Sequence, residues 1–375
     1  MQEDFHYYAT YSAAYIAGFS HEESMDICYS AQLVDLCSRA FLSQINGPSK
    51  AATTQLQLEL ADTTTDILGL QDITRIWASF HFLPKDLYAE PGRGGKHYKN
   101  KYRLICGPNS DLLVKTVELA KGKSLQAVGI AMHILADTWA HMYFAGTPSL
   151  VINNTNYYFY ECIEGEDGYE EREIKFRHSK SAPDNLDKSL YTCSLYQGSE
   201  NSIMNLGHGR AGHIPDYSFI RYKYLPAWGD YDEIIKDNPT DYMNAFCQMI
   251  YAMKYLRGEV EVFEKDTYDR ESIAGMEDEI DAIFRKRQLD SCKEWKAFGE
   301  KLSGKNIEKF DLQKFTKEYT SASKKEKDNT FLGHFIDAAI RQKSMVTDEI
   351  YKSGSILAGY SVKRIAEVFK NDQET

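Results

Sequence analysis

The stretch AVGIAMHILADTWAHMYFAG, residues 127–146, constrains the fold more than any other part of the chain. It places His133, Asp137 and His141 at successive four-residue steps within an otherwise apolar run. On an α-helix a four-residue step turns the side chain by only about 40°, so the three polar groups lie along one slowly turning stripe. The apolar residues between them predict a helix that is buried nearly all round, in which the polar groups need buried partners. A metal ion is such a partner.

Composition narrows the class of protein. The chain has 375 residues, of which 43% are hydrophobic, and this is ample for a large core. A formal net charge of -11 argues against non-specific binding to phosphate backbones or anionic bilayers without bound cations, so no stable nucleic-acid partner is expected. The seven cysteines form no CxxC pair, and their odd number favours reduced thiols over a disulfide framework.

The N-terminus shows no secretory signal, because it lacks a basic start followed by a continuous apolar run. No window approaches the roughly 18 uninterrupted apolar residues of a membrane span. The sequence therefore predicts a cytoplasmic protein without a transmembrane segment.

Helical patterns dominate the chain and predict a mainly α fold. A first helix is expected from about Asp4 to Ala17, and Ser20 with Glu23 forms a capping box that opens a second helix. Residues 147–238 predict a long irregular insertion, with possible short strands in VINNTNYYFYECI and EREIKFRHS. After Pro239 the pattern is helical again. We expect a metal-binding helical bundle over residues 1–260 and a C-terminal helical extension over 261–375, unless the two parts form one domain.

Further side chains that can ligate metals lie beside apolar or glycine-rich sequence: His6, Asp35, His81, His208, His213 and Asp216. A set of His and Asp without Cys favours hydrolytic zinc, or manganese or iron, over a structural zinc finger. A single buried His is more often a hydrogen-bonded core residue, whereas three aligned ligand types on one helix favour a metal because unpaired buried carboxylates are costly. The glycines in NLGHGRAGHIPDYSF would let the backbone bend its His and Asp side chains into a shared site.

The motifs follow one another in a distinctive order over residues 1–260. An early His in DFHY is followed by an Asp in the second helix, a His-Phe pair in FHFLP, an HxxxD on the central helix and a later His cluster. This order resembles the zinc-dependent phospholipase C and single-strand nuclease superfamily, and most closely an uncharacterised bacterial branch of it. The resemblance implies a phospholipase C-like helical bundle that holds two or three zinc ions and hydrolyses phosphodiester bonds through a metal-activated bridging water.

The resemblance also implies individual roles around the central helix. The HxxxD match implies that His133 ligates one zinc ion and that Asp137 bridges two. FHFLP implies that His81 joins His133. Asp35 is implied as a ligand or as the general base, so that Asp35 and Asp137 are the catalytic carboxylates.

Two further sites complete the implied centre. DFHY implies His6 on a second zinc, together with the amine and carbonyl of Met1 if that residue is retained, which the bulky Gln2 favours. The remaining zinc would take His141 and two further ligands. The sequence leaves open which two residues these are among His208, His213 and Asp216.

The predicted substrate is a phosphoester, either a phospholipid or a nucleic acid. A nuclease-type phosphodiesterase of the same superfamily is one alternative to a phospholipase C-like hydrolase. The other is a non-catalytic helical protein that binds a metal or a partner.

Overall fold

The computed structural model describes residues 1–56, 59–60, 67–89, 104–165, 168–177, 183–193 and 206–359. The chain begins with a π-helix, Asp4–Ala9, which continues directly into α1. The helices before the sheet are α1 (Thr10–Ile16), α2 (His21–Leu33), α3 (Arg39–Gln44), α4 (Ile67–Phe80), α5 (Asp111–Ala120), α6 (Leu125–Ala140) and α7 (Leu150–Asn153). Those after it are α8 (Asn238–Arg257), α9 (Glu277–Arg285), α10 (Cys292–Ser303), α11 (Leu312–Ser321) and α12 (Phe331–Lys352).

The prediction of a mainly α fold is wrong, because the structure is 53% helical and 12% strand and combines helices with a sheet. The strands are β1 (Thr155–Gly165), β2 (Gly168–Glu173), β3 (Lys175–Arg177), β4 (Leu190–Thr192), β5 (Arg221–Pro226) and β6 (Ile234–Asp237). Four of them form an antiparallel sheet in the order β2-β1-β5-β6, and β3 pairs with β4 in parallel. The region predicted to be an irregular insertion therefore contains this sheet.

Aromatic side chains explain why this region forms a sheet. Tyr222 and Tyr224 point to the same face of β5 and are fully buried, and Phe159 on β1 is paired with Tyr224. Rings at alternate positions of adjacent strands pack face to face and stabilise the pairing. The Phe159 and Tyr224 rings stack with centroids 5.3 Å apart. The result is a second hydrophobic core beside the helical one.

Local capping signals decide where several helices begin. The Ser20 hydroxyl accepts a hydrogen bond from the Glu23 amide, and the Glu23 carboxylate accepts one from the Ser20 amide. This confirms the predicted capping box. The single helix expected from Asp4 to Ala17 is instead a π-helix followed by α1, which ends at Ile16.

The central helix α6 is buried nearly all round, as predicted, since only Leu125 and Ala127 are not buried. It lies against α2 at a close crossing. A Cβ atom on Gly129 would overlap the carbonyl oxygen of Ile27 and lie 2.6 Å from Ser30 Cβ, so only glycine fits there. This close approach brings the α2 backbone within reach of side chains on α6.

The helices after residue 260 pack on the same core as the N-terminal ones. Phe284, Trp295 and Phe335 belong to the hydrophobic cluster that also contains Phe5 and Ile134. The division of the chain at residue 260 stays a prediction. Among the described residues, no helix combines the length and apolar character needed to cross a membrane.

Candidate metal centre

The central helix carries two of the candidate ligands, and the turn after it carries a third. His133 and Asp137 lie on α6, and His141 is its C-terminal cap, with its amide donating to the Asp137 carbonyl at 2.9 Å. All three side chains are buried. The C-terminal end of α6 is held by Lys236, whose buried ammonium donates to the Trp139 carbonyl at 2.9 Å and pairs with Asp241.

His81, His133 and Asp137 converge with too few hydrogen-bond donors. His133 Nδ1 donates to the Ala31 carbonyl at 2.9 Å, and His81 Nε2 donates to the Thr53 carbonyl at 3.1 Å. In the neutral rings the remaining nitrogens are therefore acceptors. His81 Nδ1 and His133 Nε2 lie 3.3 Å apart. Their distances to Asp137 Oδ2 are 3.2 Å and 3.1 Å, respectively. Three acceptors that face one another lack a donor between them, and a metal ion or a proton could fill this role.

The N-terminal π-helix adds a second set of ligand atoms. His6 Nε2 lies 3.1 Å from Asp137 Oδ1, and the His6 ring stacks on that of His133 with centroids 3.8 Å apart. Although the distance to Asp137 is short, neither ring nitrogen of His6 has a hydrogen bond of acceptable geometry. A fully buried ring with two unsatisfied nitrogens is expected to have another partner. A metal ion would satisfy one of them.

The amine of Met1 lies between two carboxylates. It is 2.8 Å from Asp137 Oδ1 and 3.2 Å from Asp216 Oδ1, and His141 Nε2 lies 3.2 Å away. This cation occupies part of the space where the acceptors converge. The amine thereby links the ligands on α6 to the glycine-rich segment.

The third set comprises His141, His208 and Asp216. His141 Nδ1 donates to the His81 carbonyl and His208 Nδ1 to the Gly212 carbonyl, both at 2.7 Å. Each Nε2 is thus left as an acceptor that faces Asp216, at 3.1 Å for His141 and 3.7 Å for His208. Gly212 adopts a φ of 59°, and a Cβ there would overlap the Thr192 carbonyl, so this turn requires glycine.

Two candidates lie at the edge of the centre. Asp35 follows α2, its side chain is 31% exposed, and its Oδ1 is 3.8 Å from His81 Nδ1 and 3.9 Å from His133 Nε2. The His213 side chain is 55% exposed and reaches Asp216 Oδ2 at 3.3 Å. It belongs to none of the three ligand groups found among the described residues, which are His6–His133–Asp137, Asp35–His81–His133 and His141–His208–Asp216.

Electrostatics keep these groups in their ligating forms. Burial lowers the pKa of His6 and of His208 to about 4, so both rings are neutral near pH 7. Burial alone would raise the pKa values of Asp137 and Asp216. The neighbouring histidines and the Met1 ammonium outweigh it and hold both values well below the usual range.

The donor set fits zinc, which takes imidazole nitrogen and carboxylate oxygen. Every ring nitrogen that donates to a backbone carbonyl leaves the opposite nitrogen of that ring facing the centre. Such carbonyl contacts fix the tautomer and orientation of metal-ligating histidines. No sequence signal points to the carbonyls of Ala31, Thr53 and Gly212 or to Lys236, since any residue offers a carbonyl and Lys236 lies in no recognisable motif.

The model of a family of unknown function, DUF6765, matches residues 1–350. The chain belongs to this family. No curated protein and no solved structure matches it. The DUF6765 match covers both the predicted metal-binding part and most of the C-terminal helices, but nothing in it points to phospholipases or nucleases, so that resemblance stays a prediction.

Proposed function

We propose that this DUF6765 protein is a zinc-dependent hydrolase of phosphodiester bonds with phospholipase C-like chemistry. One observation carries the proposal: buried histidine nitrogens and carboxylate oxygens converge as acceptors, and their ring orientations are fixed by backbone carbonyls. A purely structural network would instead pair its donors with its acceptors. Metal ions bound here would supply a water nucleophile of lowered pKa and positive charge for the phosphate oxygens.

The residues of the chain have separate tasks in this proposal. Asp137 directs Oδ1 towards Met1 and His6 and Oδ2 towards His81 and His133, so it can join two metal sites. His141, His208 and Asp216 form the remaining site.

Asp35 is the general-base candidate. Its carboxylate is partly exposed, while those of Asp137 and Asp216 are buried. It can therefore accept a proton from water at the edge of the centre and release it to solvent.

Metal analysis combined with activity measurements tests the proposal. Purified protein supplemented with zinc should contain two or three zinc equivalents and should cleave a chromogenic phosphodiester. Asp137→Ala should lose zinc and activity together, whereas Asp281→Ala, a matched change outside the three ligand groups, should keep both. Zinc-supplemented protein without bound metal, or an Asp137→Ala variant with full activity, would refute the proposal.

A substrate comparison then decides between the proposed activity and its alternatives. Preferred cleavage of phosphatidylcholine would support the phospholipase C-like activity. Preferred cleavage of single-stranded nucleic acid would indicate a nuclease-type activity instead. Bound zinc without cleavage of either would indicate a non-catalytic metal-binding protein. We also propose a cytoplasmic location, which the odd number of cysteines and the lack of a CxxC pair favour because disulfides are rare there.

A further inference from the structure

A short C-terminal segment contacts two residues, Asp4 and Ser218, that lie two positions from the candidate ligands His6 and Asp216 in the chain. Residues 284–291 run from the end of α9 to the start of α10, and we name them the C-terminal clasp. At one end the Ser291 amide donates to Asp4 Oδ2 at 3.1 Å, and Asp4 belongs to the π-helix that carries His6. At the other end the Phe284 carbonyl accepts a hydrogen bond from the Ser218 hydroxyl at 3.1 Å.

Apolar packing reinforces the contact with the π-helix. Phe5 follows Asp4 and is 1% exposed. Its ring stacks on that of Phe284, with centroids 6.0 Å apart, and meets the edge of Tyr242 at 5.2 Å. The clasp thus holds the π-helix by a hydrogen bond and by an aromatic contact on adjacent residues.

The clasp is itself anchored to the sheet through Arg287. The guanidinium pairs with the buried carboxylate of Glu161 on β1, with Nη2 3.1 Å from Oε2, and Nη2 also donates to the Leu186 carbonyl at 2.9 Å. Hydrogen bonds to a charged group are stronger than neutral ones. The position of the clasp is therefore fixed independently of the N-terminus that it contacts.

Burying the Asp4 carboxylate costs free energy, so its position is explained only if the residue has a structural or functional role. Its carboxylate is buried, and among the described residues it forms no ion pair. Its oxygens accept instead from two backbone amides, Phe5 at 2.8 Å and Ser291 at 3.1 Å. An asparagine could accept only one of these bonds, because its amide nitrogen is a donor.

We propose that the C-terminal clasp, acting through Asp4, positions the Met1 amine and His6 at the metal centre. Asp4 is a positioning residue, since it touches none of the ligand atoms itself. The inference rests on the proposed function in treating Met1 and His6 as ligands. It assigns to the C-terminal helices the task of completing the metal centre.

The test measures how well the Met1 amine is protected, with the full chain whose start at Met1 is verified by intact mass. An amine-reactive reagent is added to metal-free protein well below its melting temperature, and modification of the N-terminal peptide is followed by mass spectrometry. We expect Asp4→Asn to raise the rate of Met1 modification at least about tenfold and to lower the bound zinc by one equivalent. Glu3→Gln, an exposed neighbouring acid, is the matched control and should behave as the wild type.

A second variant keeps the proposal testable if Asp4→Asn fails to fold. Arg287→Ala loosens the clasp from the sheet without touching the π-helix and should also expose the amine, whereas Arg285→Ala, which removes an exposed pair with Asp281, should not. If the folded Asp4→Asn and Arg287→Ala variants are modified at the wild-type rate, the proposed role of the clasp is wrong. Wild-type protein that binds no zinc would overturn the proposed function instead. The modification rates of the metal-free protein would still show whether the clasp positions the Met1 amine.

Discussion

Replacing Asp137 by asparagine removes one negative charge from the middle of the centre and keeps the size of the side chain. In the metal-free protein Asp137 Oδ1 lies 2.8 Å from the Met1 amine, and both groups are buried. Breaking a buried ion pair by removing one partner costs about 3–5 kcal/mol. Asp216 Oδ1 remains 3.2 Å from the same amine and limits the loss. We therefore expect the free energy of unfolding to fall by about 2–4 kcal/mol.

The pH dependence of this loss has a definite sign. Burial alone would lower the pKa of the Met1 amine, but Asp137, Asp216 and Asp35 outweigh it and raise the pKa from 8.0 to about 11. Because the folded pKa exceeds the unfolded one, this contribution to stability is fully present below pH 8.0 and is lost as the pH rises through 11. The difference between wild type and Asp137→Asn should thus be steady around pH 7 and should shrink at alkaline pH.

Urea unfolding of EDTA-treated protein, followed by circular dichroism, measures the effect, and Asp35→Asn is its matched control. Asp35 is partly exposed and lies no closer than 3.8 Å to a histidine nitrogen, so its neutralisation should cost less than about 1 kcal/mol. Both variants should nevertheless bind less zinc than wild type. Equal stabilities of the wild type and Asp137→Asn would contradict the buried ion pair, and unchanged zinc binding by Asp137→Asn would contradict its bridging role.

Three further outcomes are expected. Gly129→Ala should lower the free energy of unfolding by about 1–3 kcal/mol in urea titrations, because the added methyl group meets the Ile27 carbonyl; wild-type stability would contradict the close crossing. In metal analysis His208→Ala should lose one zinc equivalent while His213→Ala keeps all of them, and the opposite result would reassign the third site. The apparent zinc affinity at the Met1 amine should rise about tenfold per pH unit near neutrality, because zinc must displace a proton from a group of pKa about 11, and a competition titration with a flat pH profile would remove the amine from the ligand set.

Local signals predicted the helices, whereas the sheet depends on contacts between distant residues. The Ser20 capping box and the apolar run of α6 are complete within a few turns, and both are found as predicted. Phe159 and Tyr224 pair across the sheet, although a long stretch of chain separates them. Strand β2 is exposed along its whole length and so offers no alternating pattern to read. The sequence therefore suggested short strands without indicating that they join into one sheet.

The ligand types and their spacing could be read from the sequence, but their grouping could not. The four-residue step on α6 places His133 and Asp137 together, as helix geometry requires. The choice between His208 and His213 is made by the turn at Gly212, whose carbonyl orients the His208 ring. A turn of this kind depends on space left by the neighbouring Thr192 carbonyl, and no spacing rule contains that information.

The balance of donors and acceptors distinguishes the candidate centre from an ordinary buried polar network more clearly than the number of histidines does. If the histidines only stabilised the core, a proton would be expected between each pair of facing atoms. His81 and His133 instead donate to the Thr53 and Ala31 carbonyls, and in the neutral rings their other nitrogens face each other and Asp137 as acceptors. That arrangement is unfavourable without a cation and favourable with one. The nearby Met1 ammonium supplies one positive charge but touches Asp137 through Oδ1. The acceptors that meet at Oδ2 still lack one, and a metal ion bound there could satisfy them together.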